Sequence, residues 1–233
     1  MQRADALTIL YRDANYVAVQ KPAGMLVHRS GLASRATRFA VQELRDQIGQ
    51  HVYPVHRLDR PTAGVLLFAL SPDAAQRLGT AFMSGAVTKT YHAVVRGWIE
   101  AEGVIDHPVQ DRDFGGAPKP ARTRYRRLAQ IELPFAVDRH PSSRYSLVEI
   151  RPETGRRHQI RQHFKHLSHP LIGDTSYGNG RHNRFFRDHL DCHRLLLEAR
   201  SLAFAHPFRG TQCRVESRPD SEWMKAERLF APL

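Results

Sequence analysis

The residue with the clearest chemical potential is Asp59. It lies between Arg57 and Arg60 in the stretch Val55–Leu67, VHRLDRPTAGVLL. His56, Arg57, Asp59 and Arg60 crowd around the apolar Leu58, Pro61-Thr62-Ala63-Gly64 make a turn, and residues 65–70 run apolar into the protein. Arginine neighbours keep such a carboxyl ionised. An ionised, oriented carboxylate acts as a nucleophile or as a general base. A surface ion pair capping a loop leaves the same mark in a sequence, so the bare pattern keeps both meanings open.

Competing chemistries find little support. His158, His163, His166 and His169 follow one another at spacings of five, three and three, with no interleaved carboxylate or thiol. That matches neither an HExxH helix nor a zinc-finger frame, so no metal site is expected. There is no GxGxxG, no GxxxxGK[ST] and no GxSxG, which disfavours dinucleotide, P-loop nucleotide and hydrolase-elbow sites. Cys192 and Cys213 form no CxxC pair and no disulfide framework.

Several elements must position Asp59. Leu7–Tyr11 and Tyr16–Gln20 are predicted strands around an Asp13-Ala14-Asn15 turn, and Lys21-Pro22-Ala23-Gly24 ends the second. His28–Arg35 is an expected exposed basic loop, and Thr37–Ile48 a helix closed by Gly49. The strand 65–70 leads to a helix opened by Ser71 as N-cap and Pro72 at the first position, running to about Ser84. Strands follow at Lys89–Gly97, Val104–Val109, Thr123–Leu133 and Tyr145–Ile150, with a mobile loop expected over 111–121. Arg156–Leu167 is a predicted helix with Ile160, Phe164 and Leu167 on its apolar face and Arg157, Arg161 and Lys165 on a basic stripe. Late strands are expected at 194–197 and 202–205, and a closing helix at 221–230. This irregular alternation predicts an α+β fold rather than a strict βαβ series.

With 233 residues, 41% hydrophobic and 25% charged, the chain has ample material for a core. Thirty-five Lys and Arg against 23 Asp and Glu leave a net charge of +12, and the pI is about 10.4. A surface this basic points to a polyanion, most commonly nucleic acid. No apolar run approaches a bilayer span and the N-terminus lacks a signal-peptide pattern, so a cytoplasmic protein with no membrane partner is expected. The residues alone lead to an RNA- or DNA-acting protein with a lone catalytic aspartate.

Five motifs then carry a resemblance. His56–Gly64, HRLDRPTAG, resembles the HRLDxxTSG signature of RluA-type pseudouridine synthases. Lys21-Pro22-Ala23-Gly24 resembles the family's KPxG element, Lys89-Thr90-Tyr91 its K-x-Y strand, Gly155–His163 its GRxHQxRxH helix and His169–Asp174 its HPxxGD loop. They run in the family's order from residue 21 to residue 174. Within the family the chain is most similar to the type acting on tRNA, through VHRS at 27–30, RDQIGQH at 45–51 and NRFF at 183–186, which implies uridine 65 of tRNA as substrate.

The resemblance implies a pseudouridine synthase fold: a mixed, mostly antiparallel sheet flanked by helices around a central catalytic cleft. It implies one catalytic domain over 1–233 without an N-terminal S4-like domain; no obligate protein partner is evident, and a monomer is expected. It assigns Asp59 as nucleophile, Tyr91 as the tyrosine against the target base, Arg161 as the arginine paired with the aspartate, and Arg57 as the group that replaces the extruded base. Lys21 and Leu196 are expected at the RNA or its uracil. A stacked uridine must be flipped out to react, and a guanidinium fills the gap by stacking and hydrogen bonding. Nothing is oxidised and no group arrives from outside, so no cofactor and no metal are implied. Arg29, Arg35, Lys119, Arg181 and Arg184 are candidate phosphate contacts. Two positions depart from the pattern: Ala63 stands where Ser is common, and Glu198 where His is expected after Leu195-Leu196-Leu197. The alternatives are a synthase acting on ribosomal RNA, or on several RNAs, and a non-catalytic RNA-binding protein; modification mapping and an Asp59→Asn variant separate them.

Overall fold

The computed structural model describes residues 6–28, 38–111 and 115–231. The expected basic loop from position 29 onward, with Arg29 and Arg35, lies outside the described residues, as do positions 112–114 of the 111–121 loop. In chain order the elements are β1 (Ile9–Arg12), β2 (Tyr16–Lys21), α1 (Ala40–Ile48), β3 (Tyr53–Pro54), β4 (Ala63–Ala69), α2 (Pro72–Met83), β5 (Thr88–Arg96), β6 (Glu102–Asp106), β7 (Arg122–Leu133), β8 (Ser143–Pro152), α3 (Gln159–His166), α4 (Gly180–Leu190), β9 (Leu197–Ala205), β10 (Gln212–Glu216) and α5 (Ser221–Arg228). This is an α+β protein. The chain divides into two compact units, Met1–Lys89 with Ala199–Arg218, and Thr90–Glu198 with Pro219–Leu233. No helix among the described residues is long and apolar enough to cross a membrane.

In the first unit β2 pairs antiparallel with β1 and with β4, from Tyr16 opposite Ala69 to Lys21 opposite Gly64. β3 adds two residues to β4 and β10 runs antiparallel to β9. Every residue of β4 is buried, which is why its sequence is a continuous apolar run rather than an alternating one. Val65, Leu67 and Ala69 pack with Ala74 and Leu78 of α2 and with Leu202 and Phe204 of β9. α2 starts as its sequence dictates: the Ser71 side chain accepts from the Ala74 amide and Pro72 fills the first position. α1 ends at Gly49 in the left-handed region, φ 65°.

In the second unit the order is β5-β8-β7-β6, all antiparallel. Alternation along β5 and β8 sends side chains to two faces. Ala93, Val95, Val148 and Ile150 meet Ile160 and Phe164 of α3 on one face. Val94, Tyr145 and Leu147 meet Phe185 and Phe186 of α4 and Trp223 of α5 on the other. α3 begins three residues later than its apolar spacing suggests. His158 takes φ 53°, and the Gln159 side-chain oxygen accepts from the Thr154 hydroxyl and the Arg156 amide, so the turn before the helix is capped rather than wound.

Candidate active site

Asp59 occupies the loop between β3 and β4 and is half-buried, while Arg57 and Arg60 on either side are exposed. Three devices hold this loop. The Thr62 amide donates to the Asp59 carbonyl at 3.0 Å, closing the turn. The Gly24 amide donates to the Arg60 carbonyl at 2.8 Å, and Arg60 Nε returns a bond to the Gly24 carbonyl at 3.0 Å. Lys21 then pins both segments from inside. It is fully buried, and its ammonium donates to the carbonyls of Pro22 at 2.8 Å, Met25 at 2.9 Å and Arg60 at 3.2 Å. An ammonium removed from water needs such acceptors. Lys21, expected at the RNA, is thus an interior clamp between the KPAG turn and the loop of Asp59.

His56 secures the other end. β3 stops after Pro54 pairs with Phe68, and the ladder is continued by a side chain: the Leu67 amide donates to His56 Nε2 at 3.0 Å. The ring stacks on Phe82 of α2 at 4.8 Å. Burial, with the neighbouring Lys89 charge, pushes its pKa down to about 3, so His56 is neutral and carries its proton on Nδ1. Gly64 completes the motif. Its φ is +118°, and a Cβ there would lie 2.3 Å from the Ala199 carbonyl oxygen. Only glycine lets β9 approach at this point.

Tyr91, Arg161 and Leu196 belong to the second unit. Tyr91 stands on β5 opposite Ile150 and packs, half-buried, against the cluster containing Ile160, Phe164, Leu195 and Leu197. Arg161 corrects the expected basic stripe: it is only 4% exposed. Its Nε and Nη2 donate to the two oxygens of Asp174 at 2.7 and 2.8 Å. Asp174 also accepts from the amides of Ser176 and Tyr177. Burial would raise its carboxyl, but the Arg161 bonds and charge and these two amides outweigh that and hold it below the usual carboxylate range. The guanidinium lies over the Tyr177 ring at 5.1 Å. A bidentate pair against a ring fixes the orientation of all the Arg161 N–H groups. Arg157 precedes α3 and pairs with Asp111 at 3.0 Å, so the three basic positions do not share one face.

The rest of α3 is fastened from below. Gln159 Nε2 donates to the Arg122 carbonyl and the Thr123 hydroxyl oxygen. His163 lies between the Thr123 hydroxyl and the His107 carbonyl, each at 2.9 Å, and burial lowers its pKa. These contacts account for the motif's Gln and second His as anchors of Arg161. The HPLIGD turn is equally constrained, since a Cβ on Gly173 would meet the Arg194 carbonyl oxygen at 2.0 Å. Leu196 is fully buried and faces Trp223 and Phe186, whereas Leu195 and Leu197 face the Tyr91 side. Glu198, in place of the expected His, is buried and accepts from Arg194 Nη2 at 2.9 Å; Arg194 Nε also meets Asp220 at 2.9 Å. The substitution has a local answer in a buried ion pair. Lys119, Arg181 and Arg184 are exposed, and Arg181 pairs with Asp138.

Sequence comparison places these features among known proteins. Residues 15–166 match the model of the RNA pseudouridylate synthase family. The chain is 50% identical over 233 residues to "tRNA pseudouridine synthase C" of Vibrio parahaemolyticus, covering 96% of this chain and 95% of that one. It is 49% identical to the protein of the same name from Vibrio cholerae, covering 93% of each. Among solved structures, Human RNA Pseudouridylate Synthase Domain Containing 1 superposes with a TM-score of 0.73 at 26% identity, covering 100% of this chain and 92% of that one. Human RNA Pseudouridylate Synthase Domain Containing 4 shares the fold, with a TM-score of 0.73 at 22% identity.

Proposed function

The chain belongs to the RNA pseudouridylate synthase family, and from that premise we propose that it converts uridine 65 of tRNA to pseudouridine. The reaction is an isomerisation. The C1′–N1 bond of the flipped uridine breaks, the uracil turns, a C1′–C5 bond forms, N1 gains a proton and C5 loses one. The Asp59 carboxylate attacks C1′ or removes the proton at C2′; either route regenerates it, and neither needs an oxidant or a group donor. Arg57, exposed two residues away, fills the gap left by the flipped base. Tyr91 packs on the uracil and assists the proton at C5. Arg161, its guanidinium oriented by Asp174, takes the role of the arginine that the family resemblance pairs with the aspartate.

The observation that carries this reading is the near full-length similarity to enzymes named for tRNA, together with a signature loop held by a buried ammonium, a neutral imidazole and a glycine. Such bracing suits a group that must keep its position while a base is extruded beside it. The test is incubation of the purified chain with unmodified tRNA transcripts, followed by carbodiimide primer extension. A single stop at U65, absent with Asp59→Asn, is expected. A stop that survives in Asp59→Asn overturns the aspartate's role. Pseudouridine in ribosomal RNA and none in tRNA overturns the substrate.

A further inference from the structure

A cavity of about 640 Å³ opens in the second unit, where β5 ends and the segment between β7 and β8 folds back. Its walls include Arg96, Arg139, His140 and Arg144, with Glu132 and Asp138. Both acids are already engaged: Glu132 by Arg144 at 3.3 Å and by the Ser142 hydroxyl, and Asp138 by Arg181 at 2.5 Å. Among the described residues neither Arg96 nor Arg139 forms an ion pair with a carboxylate. The cavity therefore carries positive charge that the protein does not neutralise.

The neighbouring strand surface is different. On β7 and β8 the exposed Arg122, Arg124, Arg126 and Arg151 each meet an acid: Glu153 serves the first two and Glu149 the others. Charge is thus cancelled across that face and left open at the cavity. Beside the cavity Trp98 is 40% exposed. Its indole N–H donates to the Ile131 carbonyl at 3.1 Å, and the Arg144 guanidinium lies over its ring at 4.1 Å. A pinned aromatic with a stacked guanidinium is a platform for a ribose or base next to a phosphate site.

Geometry relates this cavity to the chemistry. Tyr91 and Arg96 stand on the same strand, five residues apart. At a strand rise of ~3.3 Å per residue they are about 17 Å apart along the strand, and their odd separation turns the two side chains to opposite faces of the sheet. We propose that the Arg96–Arg139 cavity is a second RNA subsite. It grips a backbone phosphate remote from the target uridine, so that only a folded RNA large enough to reach both points binds fully. This rests on the reading that the substrate is RNA, and it adds a determinant of which RNA is accepted.

The full chain is tested with fluorescent unmodified tRNA, by anisotropy over a series of potassium chloride concentrations. Arg139→Ala should weaken binding about three- to tenfold and make the slope of log affinity against log salt shallower by about one; Arg96→Ala with Arg139→Ala should change it by about two. Arg151→Ala, on the neutralised face, should bind as the wild type does. A stem-loop bearing the target uridine but too short to reach the cavity should not distinguish wild type from Arg139→Ala. Arg139 lies on an exposed segment, so the variant is expected to fold, and its melting temperature checks this. Wild-type affinity and slope in Arg139→Ala overturn the subsite, as do equal losses on tRNA and on the short stem-loop. If the wild type modifies no tRNA and Arg139→Ala still loses one charge of slope, the substrate assignment falls while the subsite stands.

Discussion

His56 must be neutral to do what it does, because its Nε2 accepts the Leu67 amide and a protonated ring has no acceptor. Its pKa falls to about 3 in the folded chain, against about 6.5 when unfolded. Between those values the unfolded state binds the extra proton, so the stabilising contribution is present above about pH 6.5 and is lost as pH falls toward 3. His182, pushed to about 4 by burial and then by Arg96, and His163, lowered by burial, act in the same direction. His56→Gln keeps an oxygen acceptor and removes one titration. Its melting temperature should fall less steeply than that of the wild type as pH drops below about 6.5; parallel curves would show that the imidazole is not held neutral by this bond. The motif's histidine was visible in the sequence, but its task was not, because the Leu67 amide lies eleven residues away and depends on where β3 stops. Lys21 is similar. Its charge suggested RNA, and only the folded KPAG turn gathers the three carbonyls that take its ammonium inside.

At the level of elements, Gly64 joins β4 to β9 so closely that a methyl group has no room. Gly64→Ala places a Cβ 2.3 Å from a backbone oxygen at φ +118°, a strain that flexible side chains cannot relieve. A loss on the order of 2–4 kcal/mol is expected in urea unfolding, with reduced activity at temperatures where the variant still folds, since the loop of Asp59 feeds directly into β4. A change below about 0.5 kcal/mol would mean that β9 can withdraw freely. The strands β4, β5, β7 and β8 were legible because burial imposed unbroken or alternating apolar runs, and α2 because Ser71 and Pro72 mark its start. α4 was passed over as merely basic and aromatic. Its signals were present in Asn179, which caps the Arg181 and His182 amides, and in the 182, 185, 186 spacing of its buried side. β9 reads as two fragments because Glu198 and Arg200 interrupt the apolar pattern; Arg194, brought back by the preceding turn, lets Glu198 be buried. Helical spacing alone sets Arg161 on an exposed basic stripe, whereas Asp174 draws it inward. β10 left almost no trace, having one buried residue, Val215.

For the molecule as a whole, the question is how +12 is deployed. Much of the basic surface is locally cancelled, as on β7 and β8, where arginines and glutamates alternate across strands. Exposed pairs of this kind contribute little stability, but they remove whole faces from competition for a polyanion. What is left includes Arg57 and Arg60 at the signature loop, Arg96 and Arg139 at the cavity, and Arg184 on α4. If about six of these and neighbouring cations neutralise phosphates, log affinity for tRNA should fall with log salt at a slope of about −5, a loss of roughly a thousandfold between about 50 and 200 mM. The rise should be in KM, with kcat at saturating tRNA nearly constant, because the glycosidic step proposed at Asp59 involves no released counterion. Steady-state kinetics at several salt concentrations decide this. A kcat that falls in parallel with affinity would mean that phosphate contacts are tightened in the transition state, so that flipping the uridine, rather than first docking the RNA, draws on the basic surface.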